Sequence, residues 1–405
     1  MNTFTFDTHL TADEYDAFVT SRPECNVLQS SRWAVIKNTW SHTLTAVRNE
    51  SGKILAAGLV LKRPLPLGFE MWYLPHGPIL DFTNRELLRF YLRCLATQAR
   101  NSRAILIKID PPVALEAAPL SERTGEANPL ALLVREDFLA SGFLYRGLTT
   151  SMHDTLQPRF TTATMRPTEG TDILAAVSKR TRRFVKDAEN RYVQVRRVGA
   201  EALEDFMYVI SRTEEAKSIQ LRSRTYYENI LHTYGEDALL YMAYLNIDEA
   251  CAGYKERIAA AQEKLASLGE QAPQKRRELE QQIASHNTQL NFLHERTMAG
   301  DPENVPLAGC ISVLYGSGLE MLYAGMNRNY AKIPAQDAIY IETMRKAFSR
   351  GARYASMGGV ANSLDDGLTT FKSHFAPLII EKLGEFDLPV RPLLYKVIDY
   401  MLARR

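Results

Sequence analysis

From Cys251 to Leu268 the apolar positions fall at Cys251, Tyr254, Ile258, Ala261, Leu265 and Leu268, in alternating steps of three and four. After Gly269-Glu-Gln-Ala-Pro273 the spacing resumes at Leu279, Ile283, His286, Leu290 and Leu293. Heptad spacing on two stretches joined by a Gly/Pro turn predicts an antiparallel coiled-coil hairpin. Most other positions there are Lys, Arg, Glu, Gln, Asn or Ala. Only one stripe can therefore be deeply buried, and the hairpin projects from the body as an arm.

The flanks of the arm read as strands: residues 238–247 before it, then residues 306–317 and 318–326 after it. Residues 44–49, 52–64 and 68–78 repeat that three-strand order earlier in the chain. Both sets carry a small-residue pair in the middle strand (Ala57-Gly58; Ala308-Gly309) and Glu-Met-apolar-Tyr in the third. Each leads into an amphipathic helical stretch (84–101; 333–350) and a short strand (103–110; 353–360), and each follows helical material (11–22; 200–217). The matching order predicts an internal duplication of one α/β unit. A short turn at 50–53 joins the first two strands of copy one, and the arm replaces that turn in copy two. We therefore divide the chain into domain 1 (1–155), domain 2 (156–247 and 300–405) and the arm (248–299). Strands, a helix, then a strand is the order of GNAT acyltransferases. The expected class is thus α/β: two tandem GNAT-like domains with an antiparallel coiled-coil hairpin arm inserted in the second. A fold alone assigns no chemistry.

Length agrees with this division, since 405 residues exceed one ordinary core. A net charge of +2, with 45% hydrophobic and 24% charged residues, is ordinary globular composition and sets up no global field toward one kind of partner. No apolar stretch is long enough to span a membrane and the first residues lack signal-peptide form, so a cytoplasmic location is expected. Cys25, Cys94, Cys251 and Cys310 are far apart, which argues against a zinc site or a disulfide framework. No metal is expected.

Standard chemical motifs are missing: no Walker A loop, no G-x-G-x-x-G, no H-E-x-x-H and no G-x-S-x-G. Neither copy carries the Arg/Gln-x-x-Gly-x-Gly/Ala turn that would seat the pyrophosphate of an acyl-CoA. An enzyme of this kind works by positioning and electrostatics on an already activated substrate. One charge run stands out. Lys179, Arg180, Arg182, Arg183 and Lys186 put five cations into eight residues, countered by Asp187 and Glu189 just beyond. As a helix they suit phosphates. They equally suit a solvated face over inward Phe184 and Val185. Lys275, Arg276 and Arg277 at the tip of the arm allow two readings of their own, a tRNA contact or an arm for dimerisation or protein contact.

More specific are residues 64–82 (PLPLGFEMWYLPHGPILDF) and 26–40 (NVLQSSRWAVIKNTW). With them go 155–159 (TLQPR), 219–227 (IQLRSRTYY), 322–326 (LYAGM), 357–360 (MGGV) and 367–375 (GLTTFKSHF). Together these strings resemble the FemABX family of peptidoglycan interpeptide-bridge aminoacyltransferases, and within it the MurM-like members most. The resemblance runs through the whole chain in order, arm included. It implies transfer of an amino acid from aminoacyl-tRNA to the side-chain amine of the third stem-peptide residue of a peptidoglycan precursor. Lipid II is the expected acceptor, whereas some relatives use the soluble UDP-MurNAc-pentapeptide. Aminoacyl-tRNA serves as co-substrate and no cofactor is implied. Two other readings stay open: a GNAT-like N-acyltransferase with a small acyl donor, and a non-catalytic tRNA-binding protein.

The resemblance also assigns residues. It gives Lys37 to the precursor's phosphates, with Trp40 lining the site, although by itself Lys37 reads as a surface lysine. Arg222 and Tyr226 fall beside the same diphosphate, and Tyr323 and Phe371 fall among the precursor contacts. Lys372 corresponds to a lysine near the reacting ends of both substrates, where a cation would hold the oxyanion or the tRNA terminus. By itself it reads as a solvated lysine after a buried Phe371. Asp110 resembles a carboxylate considered as base, though an Asp before Pro is ordinarily a turn residue. The basic run becomes the tRNA surface. Residues 392–405 form an amphipathic C-terminal helix, expected to pack on the second domain and to make at most a peripheral contact with the inner membrane face.

Overall fold

The computed structural model describes residues 3–149, 155–217, 219–268 and 272–402. Two eight-stranded sheets organise them. The first runs β1 (Thr5–Asp7), β2 (Ser41–Arg48), β3 (Ile54–Pro64), β4 (Glu70–Pro75), β6 (Ala104–Asp110), β16 (Phe386–Pro389), β8 (Leu144–Tyr145), with β5 (Ile79–Leu80) paired to β3. The second runs β10 (Val193–Val198), β11 (Ala238–Asn246), β12 (Asn304–Tyr315), β13 (Gly318–Met326), β14 (Tyr354–Val360), β9 (Phe160–Met165), β15 (Leu378–Lys382), β7 (Ala114–Pro119).

The repeated unit is present in both. Strands β2, β3 and β4 form an antiparallel meander, helix Arg85–Arg100 crosses over, and β6 returns parallel to β4. Strands β11, β12 and β13, helix Ala335–Ser349 and parallel β14 repeat it. The small residues of the middle strands have a packing reason. A Cβ on Gly58 would lie 2.1 Å from the Tyr91 hydroxyl of the crossover helix, and one on Gly309 would lie 2.5 Å from Met242 Sδ. A side chain at Gly58 would push the crossover helix off the sheet, whereas Gly309 faces the other side, against Met242 of the neighbouring strand and Phe206 of helix Leu203–Lys217.

Between β11 and β12 the chain leaves as helices Ile247–Ser267 and Pro273–Met298, packed along each other. Cys251, Tyr254, Ala261, Leu279 and Leu293 are the buried residues of the expected stripe. Arg276 donates to the carbonyls of Leu265 (3.4 Å) and Leu268 (3.1 Å), closing the C-terminal end of the first arm helix. Gly269 to Gln271, the turn itself, lie outside the described residues.

The sheets exchange strands. β7 comes from the N-terminal half but pairs with β15 of the second sheet, and β16 comes from the C-terminal end but pairs with β6 and β8 of the first. Chain order and sheet membership therefore part company at both ends of the division made at residue 155. One consequence corrects an expectation. The C-terminal helix Pro392–Leu402 packs on the first sheet, with Tyr395 buried against Met71, Tyr73, Ile105 and Leu106. β16 has already carried the chain across, so the helix lands beside β4 and β6 rather than on the second domain. The two units also share a core, in which Trp33, Leu59 and Leu61 pack with Phe206, Tyr227 and Val313.

β13 and β14 pair only over Gly318–Glu320 and Tyr354–Ser356. Beyond this the former stays with β12 and the latter with β9, so the parallel strands part. In the first sheet β4 and β6 stay paired as far as Pro75 and Asp110.

Candidate functional site

Four residues from three separate elements and a loop meet beside the opening between β13 and β14. Lys37 caps helix Ser31–Ile36, whose start is held by Ser30 accepting from Arg32 N (3.2 Å). Its Nζ lies 5.6 Å from the ring centroid of Trp33 and 5.6 Å from that of Tyr226. Arg222 precedes helix Arg224–Tyr234, with its guanidinium 5.5 Å from the Tyr226 ring, and the neighbouring Tyr323 hydroxyl is the largest influence holding its pKa up. Tyr323, on β13, approaches the Tyr226 hydroxyl at 3.4 Å, and Tyr227 stacks edge-on against both rings.

The electrostatics of this group are one-sided. Burial, then the charge of Arg222, holds the Lys37 ammonium below the ordinary lysine value. Tyrosine hydroxyls, not carboxylates, surround Arg222. Among the described residues no acidic side chain pairs with either cation. Burial pushes the Tyr226 hydroxyl up, which keeps it a donor. Two partly desolvated cations and two hydroxyls facing one space suit a multiply charged oxyanion. Trp40 is near but separate: it packs between this core and the Met71–Tyr73 cluster, with Arg63 5.9 Å over its ring.

Lys372 lies elsewhere on the same opening. It sits in the last turn of helix Gly367–Ser373, only 4% exposed, and its Nζ donates to the carbonyl of Gly359 on β14 (2.7 Å). The solvated lysine that its neighbours suggest is thus a buried one. Phe371 is half-buried and packs its ring on Tyr340 (5.2 Å) and Phe375 (5.4 Å), away from the Lys37 group.

The basic run is helix Lys179–Asn190, and Val185 faces inward as expected. It lies beside the Lys372 helix: Thr181 donates to the His374 carbonyl, and Phe184 meets the His374 ring at 5.4 Å. Lys179, Arg180, Arg183 and Lys186 are exposed. Arg182 is committed differently, donating to the carbonyls of Leu174, Ala175 and Val177 that end the preceding helical turn. Arg182→Ala should accordingly cost stability, about 1 kcal/mol in urea unfolding.

Asp110 ends β6 in a polar cluster that links the sheets. Its Oδ2 accepts from His76 N (3.1 Å) and lies 2.8 Å from His76 Nδ1, while the nearby Tyr73 hydroxyl accepts from Gln157 (3.0 Å). Oδ1 of Asp110 is buried without a hydrogen-bond partner among the described residues, so the carboxylate keeps an oxygen free to take a proton. The pocket in front of it is small, with a cavity volume of about 20 Å³, and is lined by His76, Gln157, Arg159, Lys382 and Glu385. Burial holds the Lys382 ammonium below the ordinary value against the pull of Glu320 and Asp110. Burial also raises Glu320, whose carboxylate takes a bond from Asn26 (2.9 Å). Sequence reasoning assigned no role to His76, Glu320 or Lys382. The only signal was Pro75-His-Gly-Pro78 in the longest characteristic string, where His76 adopts a left-handed φ of 47°.

Comparison with known proteins agrees along the whole length. The FemAB family model matches residues 10–402. The lipid II:glycine glycyltransferase of Staphylococcus aureus (strain USA300) is 27% identical over 416 residues, covering 98% of this chain and 96% of that protein. The crystal structure of FemX superposes with a TM-score of 0.77 at 26% identity, covering 98% of this chain and 99% of that one.

Proposed function

The chain belongs to the FemAB family and is an aminoacyltransferase, and we propose that it moves an amino acid from aminoacyl-tRNA to the side-chain amine of the third stem-peptide residue of a lipid-linked peptidoglycan precursor. The observation that carries this reading is the convergence of Lys37, Arg222, Tyr226 and Tyr323 on one space without a balancing carboxylate. Lys37 and Arg222 grip the precursor's diphosphate, and the two hydroxyls complete its coordination. The relative named for lipid II supports the lipid-linked acceptor.

The reaction is aminolysis of an ester. The acceptor nitrogen forms a bond to the acyl carbon, the ester C–O bond breaks, and the leaving ribose oxygen takes up the proton the amine gives. The ester is already activated, so no nucleotide hydrolysis enters. Lys372 supplies the cation for the tetrahedral oxyanion. The exposed cations of helix Lys179–Asn190 hold the tRNA backbone beside it. Asp110, held through Oδ2 by His76 and with Oδ1 unpartnered among the described residues, is the candidate base that passes the proton on from the acceptor amine.

A pool of labelled aminoacyl-tRNAs, offered with lipid-linked and nucleotide-linked precursors in parallel, tests the reading and reports the donor. Label on the lipid-linked precursor is the expected result. Label on neither, with tRNA still bound, would leave an RNA-binding protein. Asp110→Asn keeps an acceptor for the His76 N–H but removes the base, and is expected to lower kcat by about a hundredfold or more. A loss of less than about tenfold would instead make Asp110 a positioning group. Arg183→Glu with Lys186→Glu should raise KM for aminoacyl-tRNA about tenfold and flatten its salt dependence. An unchanged KM would remove this helix from the tRNA surface.

A further inference from the structure

The turn between β3 and β4 holds a leucine in an unusual way. Leu67 has φ 60° and ψ 23°, a left-handed conformation that a branched side chain adopts only against strain, and it is 85% exposed. The turn is braced. Arg103 donates to the carbonyls of Leu67 (2.6 Å) and Gly68 (2.7 Å), with its guanidinium 5.1 Å from the ring of Phe69. Arg391 reaches the same ring at 6.0 Å while donating to the carbonyls of Ser102 (2.7 Å) and Ala104 (2.8 Å).

Arg391 immediately precedes the C-terminal helix, which packs here through Tyr395. Its other face is apolar and uncovered: Leu393 is 80% and Val397 55% exposed, one turn apart, with Leu394 beside them. Exposed Lys396 flanks this stripe, and exposed Arg63 flanks the turn. The carboxylates nearest in sequence face elsewhere. Glu70 accepts from Trp72 Nε1 (2.9 Å), and Asp399 pairs with Arg146 (3.0 Å). Arg404 and Arg405 lie outside the described residues.

We propose that the Leu65–Phe69 turn and the outer face of the C-terminal helix together form the surface by which the protein rests on an anionic lipid bilayer. Protruding leucines within a rim of arginine and lysine have the chemistry of an interfacial anchor: the apolar tips enter the acyl boundary and the cations meet the headgroups. A fixed turn enters without paying to order itself. The surface is also continuous with the proposed acceptor site. Trp40 packs against both the core beneath Lys37 and the cluster beneath this helix, and Arg63 lies over its ring. A precursor whose diphosphate is held at Lys37 would then have its hydrocarbon chain close to the bilayer. This last point rests on the function proposed above; the lipid contact itself does not.

The test uses the full chain and sedimentation with vesicles of phosphatidylcholine alone or mixed with phosphatidylglycerol. The wild type should sediment with the anionic vesicles, less so at high salt. Leu67→Asp combined with Leu393→Asp, both at exposed positions, should weaken that binding by about tenfold or more. Transfer to a bilayer-embedded precursor should fall in parallel, while transfer to a water-soluble short-chain analogue stays unchanged. A wild type that ignores anionic vesicles, or a double variant that binds like wild type, overturns the inference. So does a concentration-dependent dimer lost in the variant, which would assign the face to a second copy. If wild type labels neither acceptor, the proposed function fails, and sedimentation alone still decides the surface.

Discussion

Lys372→Met is expected to lower kcat for aminoacyl transfer by about 10²–10³, with KM for the precursor nearly unchanged. The side chain is buried in the last turn of its helix and fixed on the Gly359 carbonyl of β14, so its charge is aimed before substrate arrives. A preset cation gains most where water is excluded, because its field at a developing oxyanion is weakly screened. Methionine keeps the stem and removes the charge. It also leaves the Gly359 carbonyl short of a donor, at a cost of about 1–3 kcal/mol of stability. Urea unfolding and precursor binding must therefore be measured with turnover. Lys372→Arg should restore much of the stability and only part of the rate, since a planar guanidinium does not occupy the ammonium's position. A folded methionine variant within about threefold of wild-type kcat would remove Lys372 from the chemistry.

The duplicated unit was legible because it is written locally. Small residues in the middle strands and the Glu-Met-apolar-Tyr strands mark both copies, although Gly58 makes room for Tyr91 of the crossover helix and Gly309 for Met242 and Phe206 on the opposite face. The arm was legible for the same reason, its stripe being a period-seven signal on one contiguous stretch. Strand exchange was not. Phe386–Pro389 is four residues with nothing to say that its partner is Leu106–Ile109 instead of a neighbour in its own half. The C-terminal helix was misplaced as a consequence. Site residues divide similarly. Lys37, Arg222, Tyr226 and Tyr323 come together, but no spacing in the chain would have assembled elements so far apart; a resemblance to a family did. Phe371 and Trp40, assigned with them, pack in neighbouring clusters. The network of His76, Asp110, Glu320 and Lys382 joins both sheets, and an isolated Glu or Lys on a strand gives no sign of a partner on another sheet.

Lys37→Met should raise KM for the precursor by about 30- to 100-fold, as expected for one charge-assisted contact to phosphate, with kcat within about threefold. Arg222→Met should behave alike, and the double variant should lose less than the product of the two. Free of ligand, the two cations oppose each other, and burial with the charge of Arg222 holds Lys37 below the ordinary lysine value. Removing one relieves the other, so the losses are subadditive. Burial, with that repulsion added, sets the pH dependence. Lys37 loses its proton earlier than an ordinary lysine as pH rises, whereas the diphosphate stays anionic, so precursor affinity falls on the alkaline side. In kcat/KM the fall marks the free enzyme; in kcat it is absent or moves up, because bound phosphate stabilises the ammonium. Lys37→Arg, protonated throughout, should abolish the alkaline fall while keeping much of the affinity. An alkaline limb that persists in the arginine variant, or strictly multiplicative losses in the double variant, would mean that Lys37 and Arg222 do not share one anion.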